Sequence, residues 1–206
     1  MHTGLLRNYG ENLLKAINSI DQENVNKLID KLLLKLNGNG EVHLLGNGGS
    51  AANAHHIVGD FSKTFAILNK NLRINCLSDN GCYITAVSND IDYSSVYELL
   101  VNTRIQKNDL IIFLSGSGNS MNLVKAARKA LIYGMSTVSI TGFSGGALKH
   151  IVDLSIHVKI DDMEIVEDVQ LILFHYIKQK LLKKFNNGDH SSSSKEQKRI
   201  VDDLIA

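Results

Sequence analysis

The chain opens on two apolar stripes at helical spacing. Leu13, Leu14 and Ile17 form the first. Val25, Leu28, Ile29 and Leu32 form the second, with Asp21 placed to cap its start. Asn37-Gly38-Asn39-Gly40 breaks the pattern, and beyond it the period changes. Val42–Leu45 is a short apolar run that enters Gly46-Asn47-Gly48-Gly49-Ser50. The same unit recurs as Leu72–Leu77 before Ser78-Asp79-Asn80-Gly81, and as Leu110–Leu114 before Ser115-Gly116-Ser117-Gly118-Asn119-Ser120. Ser136–Ile140 before Thr141-Gly142, and Leu154–Val158, complete the set. Helical stretches alternate with these runs, such as the one bearing Leu123, Ala126, Ala127 and Ala130, and Met163–Lys184 reads as a long closing helix. Continuous apolar strands alternating with helices predict a parallel sheet covered on both faces. The expectation is an α/β, three-layer, doubly wound sandwich with a mainly parallel five-stranded sheet. Residues 1–185 make one domain, with an N-terminal helix pair over 1–37 and the α/β core over 41–185. From Asn186 the composition turns polar, and 186–206, with its Ser191–Ser194 run, reads as a flexible tail in which Ile200–Ile205 forms a short amphipathic turn.

Composition narrows the classes. The net charge is +1 over 206 residues, which removes the electrostatic case for nucleic acid. No apolar run is long enough to span a bilayer, and Met1–Glu11 lacks the layout of a signal peptide. A cytoplasmic protein is expected, with no membrane partner. Cys76 and Cys82 then read as free core or surface thiols, neither a disulfide nor a zinc site. The chain has no proline, so its turns rest on Gly, Asn, Asp and Ser.

The chemistry is expected outside the carboxyl ends of the strands, where open parallel sheets bind ligands. Glycine lets a backbone approach an anion closely, and the next helix start presents unpaired N–H groups with partial positive charge. Ser115–Ser120 adds three hydroxyls in six residues, more than a capping role needs, and reads as a phosphate cradle. It has no closing Lys-Ser/Thr pair and does not fit the dinucleotide fingerprint. His56 and Asp60 are four residues apart and share a helix face. Such a pair suits a divalent metal or proton transfer, and equally a plain surface ion pair. His55 faces elsewhere. His175 follows Leu171, Ile172, Leu173 and Phe174, and on this pattern alone reads as a buried core histidine.

Taken together and in order, Gly46-Asn47-Gly48-Gly49-Ser50-Ala51-Ala52-Asn53-Ala54 with His56, Ser88-Asn89-Asp90, Ser115–Ser120 and Thr141-Gly142-Phe143-Ser144-Gly145-Gly146 resemble the sugar isomerase (SIS) family. The phosphoheptose isomerase branch fits best, over nearly the whole chain to about Phe185. The resemblance implies a flavodoxin-like sheet and an aldose–ketose isomerase interconverting sedoheptulose 7-phosphate and D-glycero-D-manno-heptose 7-phosphate, toward activated heptose for surface glycans. It also implies a homotetramer with sites at subunit interfaces and one zinc per subunit. Substrate contacts map onto Asn47, Gly48, Gly49, Ser50, Asp60, Asn89, Asp90, Ser115, Gly116, Ser117, Ser120 and Glu167. Metal positions map onto His56, Asp60, Glu167 and His175, with Asp60 as base and His175 as acid–base partner. Asp60 and Glu167 stand where better-known members carry Glu and Gln. Glu167 and His175 are eight residues apart, ~12 Å along a straight helix, so one ion reaches both only if the helix starts late or bends or a neighbouring subunit contributes; otherwise Glu167 is not a ligand. Other SIS proteins isomerise different sugar phosphates, or serve as non-catalytic tetrameric modules that engage the bacterial replication initiator. The paired histidines favour an enzyme.

Overall fold

The computed structural model describes residues 4–38, 40–188, 199 and 201. Helix α1 (Leu5–Asn18) and helix α2 (Gln22–Leu36) form the N-terminal pair, and the Asp21 side chain accepts from Glu23 N–H at 2.9 Å to start α2. The inward line of α1 is Leu13, Ala16 and Ile17 together with Tyr9, whereas Leu14 is exposed. Strand β1 (Val42–Leu45) leads into α3 (Gly48–Ile67), and β2 (Ile74–Cys76) into α4 (Gly81–Asp90). A short 3-10 turn (Tyr93–Ser95) and α5 (Val96–Arg104) follow. Then come β3 (Leu110–Ser115), α6 (Met121–Ile132), β4 (Ser136–Thr141), α7 (Leu148–Ile151), β5 (Leu154–His157) and α8 (Met163–Gly188).

The five strands are all parallel, in the order β2-β1-β3-β4-β5. Central β1 and β3 are buried at every position, as strands covered on both faces must be. Successive side chains of a strand face opposite ways. Leu110, Ile112 and Leu114 therefore enter the core shared with α2, α3 and α8, while Ile111 and Phe113 enter the one shared with α5 and α6. Truncating such a residue, as in Ile112→Ala, costs about 2–5 kcal/mol. At the edges the pattern loosens. β2 pairs only through Ile74–Cys76, shorter than its apolar run, and β5 alternates buried and half-buried positions.

Helix α8 runs through Gly188, so residues 186–188 continue a helix where a linker is expected. The Ser191–Ser194 run lies outside the described residues. Of the Ile200–Ile205 segment only Val201 is described, and it is buried against the core. Among the described residues no helix is long and apolar enough to cross a membrane.

Candidate active site

Chain order reverses direction between β1 and β3, which makes their carboxyl ends the topological switch point of the sheet. A cavity of about 210 Å³ opens there. Asn47, Gly48, Gly49 and Ser50 line it from the β1 side, and Ser115, Gly116, Ser117 and Ser120 from the β3 side. Leu114, Leu123, Met163 and Glu167 complete the wall. All eight of the polar and glycine positions expected from these two turns are thus brought together.

The β3 turn is held by backbone packed on backbone. Gly118 has φ +68°, and a Cβ there would sit 2.1 Å from the Gly145 carbonyl oxygen. A Cβ on Gly146 would meet the Ser117–Gly118 backbone at 2.5 Å. Leu148 N–H donates to the Gly118 carbonyl at 3.0 Å, and Gly142 N–H to the Gly116 carbonyl at 2.8 Å. Ser115 Oγ accepts from Gly118 N–H at 3.0 Å, and Ser117 Oγ from Asn119 N–H at 3.2 Å. Ser120 is the N-cap residue of α6, yet its hydroxyl makes no capping bond. Ser120 lines the cavity at the positive end of the helix, where an anion is favoured.

Helices α3 and α8 meet behind the cavity in a polar seam. Asn53 Nδ2 donates to the Glu167 carbonyl at 2.9 Å and to Gln170 Oε1 at 3.1 Å. Gln170 Nε2 donates to Ser50 Oγ at 3.3 Å, and Ser50 Oγ donates to Glu167 Oε1 at 3.4 Å. Ser50, Asn53 and Gln170 are buried, so each loss of a partner would strand a polar atom at about 1–3 kcal/mol. Gly49 is needed for this closeness, because a Cβ there would lie 2.0 Å from Glu167 Oε2.

Further along the same two helices, His56 and Asp60 of α3 meet His175 of α8. The Nε2 atoms of the two histidines are 3.1 Å apart, with the rings edge to face at 79°. One donor atom from each of the three side chains lies within 4.8 Å of the other two. Two zinc–nitrogen bonds of about 2.0–2.1 Å at a tetrahedral angle place their nitrogens ~3.3 Å apart, so this donor set fits a zinc-like ion. Asp60 Oδ2 also lies 2.5 Å from Lys178 Nζ. Displacement of water by the neighbouring side chains first, then His56 and the Lys178 ammonium, lowers the His175 pKa from the ordinary histidine value although the ring stays exposed, against the opposing Asp60 carboxylate.

Several expectations change here. His175 is exposed, not a core histidine: Leu173, Phe174 and Ile177 carry the buried face of α8. Glu167 stands outside the His56–Asp60–His175 group, since α8 is continuous between Glu167 and His175 and the Glu167 carboxylate turns to Gly49 and Ser50. Within one chain, Asp60 and His175 do not line the cavity. Asn89 and Asp90 are exposed at the end of α4, bonded to each other at 2.9 Å, and do not line it either. Conversely, Asn122 and Tyr93 escape sequence reasoning. Asn47 and Asn122 exchange two amide bonds of 2.9 Å, and Tyr93 Oη donates to Asn47 Oδ1 at 2.7 Å. The one signal for Asn122 is a polar residue set in the otherwise apolar start of α6.

The SIS domain family matches residues 7–142. A phosphoheptose isomerase of Helicobacter pylori (strain P12) is 32% identical over 167 residues, covering 81% of this chain and 86% of that protein. One of Burkholderia pseudomallei (strain 1710b) is 35% identical over 153 residues, covering 74% and 78%. Among solved structures, a phosphoheptose isomerase from Francisella tularensis shares the fold with a TM-score of 0.78 at 21% identity, covering 89% of this chain and all of that one, 100%. The chain belongs to the SIS domain family.

Proposed function

We propose that the chain is a phosphoheptose isomerase, an enzyme that converts sedoheptulose 7-phosphate to D-glycero-D-manno-heptose 7-phosphate. The observation that carries this reading is a pair of features on the same two helices: a hydroxyl and helix-start cradle at the switch point, and a His–Asp–His group farther along α3 and α8. His56 lies six residues beyond Ser50, ~9 Å along the helix. An open-chain heptose 7-phosphate spans roughly 9–10 Å from phosphorus to C1 on ordinary bond lengths. In this reading the phosphate sits in the cradle and the sugar extends along α3 toward the histidines. The names of the relatives support the same class.

In this reading Ser115, Ser117 and Ser120, with the α6 start, hold the phosphate, and that remote binding orients the reacting carbons. Asn47, Gly48, Gly49, Ser50 and Glu167 line the sugar's path. Asp60 removes the C1 proton, and the electron pair enters the enediolate. The proton returns to C2 while His175 moves a proton between the O1 and O2 oxygens. A zinc ion, one per subunit, would be held by His56, Asp60 and His175, and when bound supplies charge to polarise the carbonyl oxygen. Asn89 and Asp90 reach substrate only through a neighbouring subunit or a movement of α4. A homotetramer would cover the exposed His56 and His175, and α1 offers apolar residues for it, Leu5 at 71% and Leu6 at 85% exposure. The expected setting is the cytoplasm, at the first step toward activated heptose for surface glycans.

The test is incubation with sedoheptulose 7-phosphate in deuterated water, with and without zinc, followed by separation of the sugar phosphates. An aldose product carrying solvent deuterium is the expected result. No product and no exchange with either metal condition would sink the isomerase reading.

A further inference from the structure

Asp60 is held by two claims at once. Its Oδ2 lies 2.5 Å from Lys178 Nζ, and Lys63 Nζ stands 3.8 Å from its Oδ1. The same side chain offers an oxygen within 4.8 Å of donor nitrogens on His56 and His175. Lys178 lies three residues beyond His175, so α8 presents a ligand-type imidazole and a fixed ammonium on one face. The Lys178 and Asp60 side chains are only 17% and 14% exposed, so solvent and salt screen this charge weakly. An ammonium and a divalent ion on one carboxylate repel each other across a few ångströms. Each therefore weakens the other's hold on Asp60.

We infer that Lys178 is the resident cation of this site and determines which metal enters it. A divalent ion must either displace the ammonium from Asp60 or bind through the two imidazoles against its charge. Ions with high affinity for imidazole, such as zinc, can do so. Hard, oxygen-seeking ions such as manganese depend on the carboxylate and are turned away. Lys178 is therefore a specificity-determining residue for the metal, and this rests on the reading of His56, Asp60 and His175 as a metal site.

The experiment titrates the purified chain with zinc alone and with manganese alone, against a chromophoric chelator and without substrate. Lys178→Met keeps the aliphatic stem and removes the charge. It is expected to raise zinc affinity at least tenfold and manganese affinity by more, so that the preference for zinc narrows. Lys178→Gln, which still offers Asp60 a hydrogen bond, gives the same shift and serves if the Met variant does not fold. Lys178→Arg keeps the charge and the wild-type preference, which separates charge from packing. His56→Ala abolishes tight zinc binding in both backgrounds. Unchanged zinc and manganese affinities in the neutral variants, with binding still dependent on His56, overturn the inference and leave the metal site standing. Zinc binding absent from wild type and neutral variants alike, or indifferent to His56→Ala, overturns the metal site and the inference with it.

Discussion

The cradle and the histidine cluster are built on different principles. The cradle is backbone: Gly118 and Gly146 interlock where no Cβ fits, and strand ends fix the turn. The His56–Asp60–His175–Lys178 cluster is side chain: four groups on two helix surfaces, with the two histidines 119 residues apart in sequence. A backbone site is pre-organised and nearly blind to which hydroxyl-bearing side chain decorates it. A side-chain cluster retunes with single substitutions, because each of its donor atoms sits on a different side chain.

That division predicts opposite losses. His175→Ala and Asp60→Asn should each cut turnover about 10²–10⁴-fold, the usual contribution of a positioned acid or base, while sugar-phosphate affinity stays near wild type. Metal content has to be measured in each, because both residues belong to the proposed metal-binding group. Turnover at the wild-type rate in both variants would remove the cluster from the chemistry. The cradle should break the other way. Gly118→Val forces a Cβ against the Gly145 carbonyl and strains a φ of +68°, so both sugar-phosphate binding and several kcal/mol of stability should be lost, on the order of 1–3 kcal/mol from the backbone strain alone. A calorimetric titration beside a melting curve checks both. A milder cut, Ser117→Ala with Ser120→Ala, removes only the exposed Ser117–Asn119 bond from the fold, so it should lower the melting temperature far less than Gly118→Val does and weaken binding by about 1–3 kcal/mol for each lost bond to a charged group. Unchanged affinity would show that neither hydroxyl holds the phosphate.

The same division explains what could be read from the chain. β1 runs over Val42–Leu45 as its apolar pattern demands, and the turns after β1 and β3 converge because parallel strands end on one side of a sheet. Such features are local, and local patterns record them. β2 shortens to Ile74–Cys76 because an edge strand ends where its single neighbour stops pairing, which its own residues do not encode. His175 reads as core because its chain neighbours are apolar, yet successive helix residues point ~100° apart, so Phe174 is buried while His175 is exposed. Lys178 gives no signal at all, since Asp60, its partner, is 118 positions away. Glu167 turns away from the histidines within one chain for the complementary reason: its neighbour, Gly49, leaves no mark in the sequence but an absent side chain.

The smallest expected effect concerns the seam between the cradle and the cluster. Asn53 makes both of its amide bonds to α8, to the Glu167 carbonyl and to Gln170, and Gln170 in turn reaches Ser50 at the cradle. Asn53→Ala removes the donor and leaves buried acceptors without it, a cost of about 1–3 kcal/mol. For a chain of this size that lowers the melting temperature by roughly 2–10 °C. Because Asn53 belongs to neither, affinity for sugar phosphate and zinc should move much less than stability does. Replacing Gln170 by Leu in the Asn53→Ala background tests the coupling. Residues in one hydrogen-bond network are non-additive, so the double variant should be less destabilised than the sum of the two singles. Strict additivity would mean that α3 and α8 are held by apolar packing alone. A fall in zinc affinity as large as that from His56→Ala would mean that the seam, rather than the helices themselves, sets the distance between the two histidines.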